Sequence, residues 1–272
     1  AAAMVIAEVD PDLPRTTGDS RVHLSEIASL VDSDDDTPRP PEPPGVGPRA
    51  EAIAEHVAGL IPPRATVALG SGSVTGAVGE ALGRRDDLFG IRLVGVITEP
   101  MMNLAESSSG TVRAAELIGG PGLMAWANRN PRVEMASSDR VHDPVFLSQA
   151  GPFAAVSPAV SVDLTGQAVC DAIGGVADFF EGARLSPGGL RILALTCTAP
   201  DGTPAIVAEH PAGTPVTIGR HSVDAVVTEH GVAWLRGRTI GERREALLAI
   251  AGETAGETAG ETAGEPPGGE TL

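Results

Sequence analysis

Residues 93–97, Leu-Val-Gly-Val-Ile, form an apolar run that passes through Thr98 to a lone carboxylate, Glu99, and is followed at once by Pro100. Strand-forming residues that end on a charged group, with a proline barring further pairing, are a common way for an α/β protein to present a reactive side chain. A carboxylate placed there suits nucleophilic or acid–base chemistry. The plainer reading of Glu99 alone is the first exposed residue of a loop. A second candidate begins with the strand-like stretch Thr66 to Leu69, which runs into Gly70-Ser71-Gly72-Ser73 and then a helical pattern from Val74 to Leu82. Strand, glycine turn and helix in that order leave backbone N–H groups free at a helix N-terminus, where a phosphate or a developing oxyanion fits. The G-x-G-x-x-x-G spacing of Gly70, Gly72 and Gly76 matches neither a dinucleotide fingerprint nor a P-loop. A purely structural tight turn therefore stands beside the ligand-loop reading.

Other chemistry-bearing residues read more plainly. His23, His142, His210, His221 and His230 are scattered without ligand spacing, and Cys170 and Cys197, the only cysteines, lie far apart in apolar contexts, so no metal site is expected. The cysteines read as small core residues in a reduced, cytoplasmic setting. Glu229 repeats the strand-to-Thr-Glu pattern of Glu99. Ser71 and Ser73 sit beside glycines without the G-x-S-x-G pattern of a hydrolase nucleophile.

The elements that must position these groups are marked by punctuation. A short β-like piece spans Met4 to Val9, and the acidic, proline-rich stretch 32–48 reads as an extended linker between an N-terminal arm, 1–31, and a main body, 49–251. Arg49 to Leu60 carries Ile53, Val57 and Leu60 at helical spacing and stops at Pro62-Pro63. Phe153–Val156, Leu190–Leu195 and Ala225–Thr228 are further strand candidates, with helical patterns at Gly122–Asn128, Gln167–Ile173 and Thr239–Ala251. The class expected is α/β, with a largely parallel sheet flanked by helices. The tail, 252–272, repeats GETA and has almost nothing apolar to bury, so disorder is expected there.

The 272 residues are 42% hydrophobic, enough for a sizeable core. A formal charge of -17 argues against nucleic acid as a partner. With no run of 18 apolar residues and no signal-peptide pattern at the start, no membrane association is expected.

Several blocks resemble, in order, the C-terminal half of the acetyl-CoA hydrolase/transferase family, which includes acetate, succinate and 4-hydroxybutyrate CoA-transferases. The blocks are VIAEVDPDLPRTTGDSRVHLSEI (5–27), ATVALGSGSVTGAVGEAL (65–82), VSVDLTGQAVCDAIGG (160–175), VADFFEGARLSPGGLRILAL (176–195) and VDAVVTEHGVAWLRGRTIGERREALLAIA (223–251). The resemblance implies a CoA-transferase-like α/β fold and a glutamate nucleophile in a segment usually reading His-Thr-Glu, which falls here on Ile97-Thr98-Glu99. It implies that Glu99 forms an acyl-glutamyl anhydride and then a glutamyl-CoA thioester. It also assigns Gly70, Ser71 and Gly72 to one glycine loop, and Gly174 and Gly175 to a second against the acyl and pantetheine groups. No tightly bound cofactor is implied, since coenzyme A enters as a substrate. The partners implied are an acyl-CoA and a small carboxylate, with either a separately encoded N-terminal half or a second copy of the chain completing the site. The alternative reading is a non-catalytic relative that binds CoA or a partner subunit.

Overall fold

The computed structural model describes residues 3–33, 47–149, 151–170 and 176–252. Most of the acidic linker, the GETA tail and the pair Gly174-Gly175 lie outside the described residues. In chain order the elements are β1 (Ile6–Val9), β2 (Thr17–Gly18), β3 (Ser29–Asp32), α1 (Pro48–Ala58), β4 (Thr66–Leu69), α2 (Ser73–Gly83), β5 (Arg92–Ile97), α3 (Glu99–Ser107), β6 (Thr111–Leu117), α4 (Pro121–Ala127) and β7 (Val133–Met135). There follow α5 (Ser138–Val141), α6 (Pro144–Ser148), β8 (Phe153–Pro158), β9 (Ser161–Asp163), β10 (Ala168–Val169), α7 (Val176–Leu185), β11 (Leu190–Ala194), β12 (Ile206–Val207), β13 (Ala225–Thr228), β14 (Gly231–Trp234) and α8 (Ile240–Leu248).

Nine strands make one sheet in the order β14-β13-β11-β8-β4-β5-β6-β7-β2. Every pairing in it is parallel except that of β13 with β14. The expected α/β class with a largely parallel sheet is therefore what the chain adopts. The short, mostly apolar runs of β4, β8, β11 and β13 belong in such a sheet because both of its faces are covered. Alternate residues feed two cores. Val67, Leu69, Ala154, Val156, Ile192, Ala194 and Val227 face the side of α1 to α4, while Ala68, Phe153, Ala155, Leu193 and Val226 face α6, α7 and α8. Burying each of the larger side chains contributes about 1.5–3 kcal/mol.

Two smaller sheets lie apart. β1 pairs with β3 in parallel, outside the main sheet, and leaves Ile6, Leu30 and Val31 exposed. β9 joins β10 and β12. This corrects the helical expectation for Gln167 onward, since Ala168–Val169 is a strand paired antiparallel with β9. The cause is local. The Asp163 carboxylate accepts from the N–H groups of Thr165 and Gln167, the Thr165 hydroxyl and the Gln167 amide, and Gly166 at φ +93° turns the chain back. Such an Asx-type turn followed by glycine favours a hairpin over a helix.

Along β5 and β6 the register slips: Gly95 pairs with Ala114 but Val96 with Glu116, so Ala115 is an extra residue in β6. Helix α8 begins with a reciprocal cap in which the Thr239 hydroxyl accepts from Glu242 N–H and the Glu242 carboxylate accepts from Thr239 N–H. Thr239→Ala is expected to lower stability by about 1 kcal/mol, read as a lower denaturant midpoint at unchanged slope.

Candidate active site at the carboxyl edge of the sheet

Parallel strands place all their following loops at one edge, and there ligands of open α/β sheets bind. β5 delivers Glu99 to that edge. Ile97 is fully buried in the core beneath α3, Thr98 caps the helix in extended conformation, and Glu99 is the first residue of α3 with Pro100 second. Proline is well tolerated there because its missing N–H would be unpaired in any case. The Glu99 carboxylate thus stands at a helix N-terminus, where the partial positive charge of free N–H groups favours an anion. The plainer loop-residue reading of Glu99 gives way to a partly buried, helix-opening one.

β6, the neighbour of β5, ends in Leu117 and leads into Gly119-Gly120, and Gly120 caps α4. Gly120 N–H donates to Glu99 Oε1 at 2.6 Å. A Cβ on Gly119 would lie 2.7 Å from both carboxylate oxygens, so the carboxylate rests on bare backbone. Glu99 Oε2 has no hydrogen-bond partner among the described residues. Composition and spacing gave no sign of this shelf, because Gly119 and Gly120 are about twenty residues from Glu99 and fit no motif. Gly119→Ala is expected to push the carboxylate aside and cost roughly a hundredfold in any reaction that uses Glu99. The displaced group is the mobile end of a side chain, so the thermal midpoint should hardly move.

The first glycine loop sits beside this group. β4 and β5 are adjacent, and α2 packs tightly on α3: a Cβ at Gly79 would be 3.3 Å from Pro100, and one at Gly83 would be 3.5 Å from Ser107 Oγ. Gly72, at φ +146°, caps α2 and is suited to that turn as few other residues are. One part of the expectation is corrected. Gly70 N–H is not free but extends the ladder to the Val156 carbonyl at 3.0 Å. The N–H groups of Ser71 and Gly72 have no partner among the described residues, so the donor set narrows to these two. A cavity of about 270 Å³ bordered by Thr66, Arg92, Arg113 and Phe146 opens at the opposite, amino end of the strands, away from Glu99.

A second polar cluster lies farther along the same edge, where β11 and β13 end. Glu229 and His230 are the two turn residues between β13 and β14. The Glu229 carboxylate accepts from Cys197 N–H at 2.8 Å and from the Cys197 thiol at 3.3 Å. Cys197 Sγ lies 3.4 Å from His230 Nε2, and Arg49 Nε is 3.6 Å from Glu229. Burial, reinforced by Glu229, pushes the Cys197 thiol up; burial alone pushes Cys170 up to about 11. Glu229 is held below the usual carboxylate range: burial opposes ionisation, and the Cys197 backbone hydrogen bond leads the groups that outweigh it. In the sequence Cys197 stands apart from Glu229 and His230, and their one shared signal is that each follows an apolar strand candidate.

A mostly parallel α/β sheet thus presents a helix-opening carboxylate on a glycine shelf beside a glycine loop, and known proteins share this architecture. Residues 119–257 match the acetyl-CoA hydrolase/transferase C-terminal domain. The 4-hydroxybutyrate coenzyme A transferase of Clostridium kluyveri is 34% identical over 92% of this chain and 62% of its own length. The succinyl-CoA:cyclohexane-1-carboxylate CoA transferase of Geobacter metallireducens is 32% identical over 92% of this chain and 61% of its own. Among solved structures, the 4-hydroxybutyrate CoA-transferase of Porphyromonas gingivalis superposes with a TM-score of 0.82 at 29% identity, covering 95% of this chain and 65% of that one. RipA of Yersinia pestis gives 0.87 at 25% identity, with 96% and 63% covered. The chain belongs to the acetyl-CoA hydrolase/transferase family. It spans about three fifths of the length of the curated relatives it matches. Among the described residues no helix is long and apolar enough to cross a membrane.

Proposed function

We propose that this chain carries the nucleophile of an acyl-CoA:carboxylate CoA-transferase and that the nucleophile is Glu99. The observation that carries the reading is the Gly120 N–H fixed on Glu99 Oε1, which leaves Oε2 as the attacking atom. Oε2 adds to the thioester carbonyl carbon of an acyl-CoA, and the C–S bond breaks to give an acyl-glutamyl anhydride and CoA thiolate. The thiolate then adds to the glutamyl carbonyl carbon and expels the acyl group as a carboxylate, leaving a glutamyl-CoA thioester. In that second addition negative charge develops on Oε1, the atom already facing the Gly120 N–H. The Ser71 and Gly72 amides are the donors assigned to the substrate carbonyl oxygen in the first. An incoming carboxylate reverses the sequence; water in its place makes the protein an acetyl-CoA hydrolase.

Coenzyme A is a substrate in this scheme and no resident cofactor is needed. Residues 49–251 act as the catalytic domain, in the cytoplasm. The exposed apolar residues of β1 and β3 suit the surface on which a completing N-terminal half or second copy would pack. The test is exposure to acetyl-CoA, with and without a polypeptide supplying the remaining family length, then hydroxylamine trapping and peptide mass mapping. A modification on the Glu99 peptide is expected; its absence under every condition would favour the non-catalytic, CoA-binding reading.

A further inference from the structure

We infer that Cys197, Glu229 and His230 form a zinc-type metal site, separate from the site of Glu99. Their ligand atoms, Sγ, a carboxylate oxygen and an imidazole nitrogen, all lie within 4.8 Å of one another. Sγ stands 3.3 Å from Glu229 Oε1 and 3.4 Å from His230 Nε2. A tetrahedral ion with ligand bonds of about 2.0–2.3 Å needs ligand atoms roughly 3.3–3.6 Å apart, so small side-chain rotations close the set around one ion.

The backbone has already done most of the positioning. Glu229 and His230 are successive turn residues of the β13–β14 hairpin, the next pair outward from β11, whose continuation carries Cys197. His230 N–H is tied to the Thr228 hydroxyl, which in turn donates to the Ile250 carbonyl. Glu229 Oε2 keeps the Cys197 N–H while Oε1 faces the thiol, so the carboxylate is oriented by a bond that a metal would not displace. Gly252, at φ +77°, closes over the group: a Cβ there would lie 3.1 Å from Cys197 Sγ and 3.2 Å from His230 Nε2. Only a residue without a side chain leaves that space open.

The donor chemistry selects the ion. One thiolate, one imidazole and one carboxylate suit zinc and its borderline-soft neighbours, whereas magnesium and calcium prefer oxygen ligands alone. Three protein ligands, with His230 exposed, leave a fourth position for water. On binding, the Cys197 S–H bond breaks, its electron pair goes to the metal and its proton to solvent. Cys197, beyond β11, is three strands from β5 and Glu229, beyond β13, four, which at about 4.8 Å per strand sets the cluster roughly 14–19 Å from Glu99, so the metal is not placed to touch the acyl group.

The test is metal binding by the whole chain after chelator treatment, with zinc stoichiometry by dialysis and cobalt as the spectroscopic probe. One equivalent of zinc and a thiolate-to-cobalt charge-transfer band are expected. Cys197→Ser should abolish the band, and His230→Ala should weaken zinc by more than the ten- to hundredfold that loss of an outer-shell partner costs. Cys170→Ser and Glu99→Gln should leave both readouts unchanged, which separates this inference from the assignment of Glu99. No zinc bound by the unsubstituted protein, or full binding by a folded Cys197→Ser/His230→Ala double variant, would overturn it.

Discussion

Glu99→Gln is expected to abolish the proposed acyl transfer while leaving the fold intact. Glutamine keeps an oxygen to accept from Gly120 N–H and nearly the same shape, so the helix-opening position and the packing of Pro100 on α2 are retained. What it lacks is the anionic oxygen that the proposed mechanism directs at the thioester. Loss of a covalent nucleophile should reduce turnover by at least about a thousandfold, or roughly 4 kcal/mol of barrier. Hydroxylamine-sensitive labelling of the Glu99 peptide should vanish with it, and the thermal midpoint should stay within a degree or two. Turnover within tenfold of the unsubstituted protein would remove Glu99 from the mechanism.

The largest effect on stability is expected at Asp224, whose side chain is wholly buried between two arginines. Its Oδ1 accepts from Arg191 Nη2 at 2.6 Å and Arg236 Nε at 2.7 Å; its Oδ2 accepts from Arg191 Nε at 2.9 Å, Arg191 N–H at 2.9 Å and Arg236 Nη2 at 2.5 Å. This network ties β11 to the entry of β13. Asp224→Ala would leave the buried Arg191 guanidinium without its counter-charge, at a cost of about 3–5 kcal/mol and a fall in Tm of roughly 10 °C. Burial alone would raise the Asp224 carboxyl, but its hydrogen bonds from Arg191 and Arg236 outweigh that and hold it below its usual 3.8. A depressed folded-state value means that the contribution is complete above the ordinary carboxyl value and is lost as pH falls through the folded one. The stability gap between the two proteins should therefore be constant near neutral pH and narrow below about pH 4. Denaturant midpoints at pH 7 and pH 3 would measure it, and a gap that widened in acid would contradict the assignment.

Much of the fold was legible because the central strands are buried on both faces and so appear as short, mostly apolar runs. Thr66–Leu69 and Ala225–Thr228 are strands end to end, and Leu190–Leu195, Phe153–Val156 and Leu93–Ile97 differ from the observed strands by one or two residues. Strands nearer the edge were hidden. Thr111–Leu117 mixes Arg113, Glu116 and three small or polar residues with few large apolar ones, and its β character comes from pairing on both sides rather than from its own composition. Gln167 onward looked helical because the Asx-type turn at Asp163 depends on side-chain geometry that periodicity does not carry. At the candidate site Glu99 could be singled out from local order, strand then carboxylate then proline, and its proposed role as nucleophile came from the family resemblance. The Gly119-Gly120 shelf and the Cys197–Glu229–His230 group could not, since each joins segments that only the stacking of parallel strands brings level.

The extra residue in β6 bears on how this segment can vary in length. Past the slip, Ile97 pairs with Leu117, and continuing that count sets Gly119 level with Glu99. Had the two strands stayed in step, Ile118 would arrive there, with a branched side chain where the carboxylate now meets bare backbone. The irregularity at Ala115 works as a length compensator: losing that one residue would restore even pairing and still deliver Gly119 to Glu99. A one-residue gap at Ala115 is thus the silent indel of this segment, while the same gap anywhere from Glu116 to Gly119 would have to be absorbed there as well or would carry the shelf out of phase.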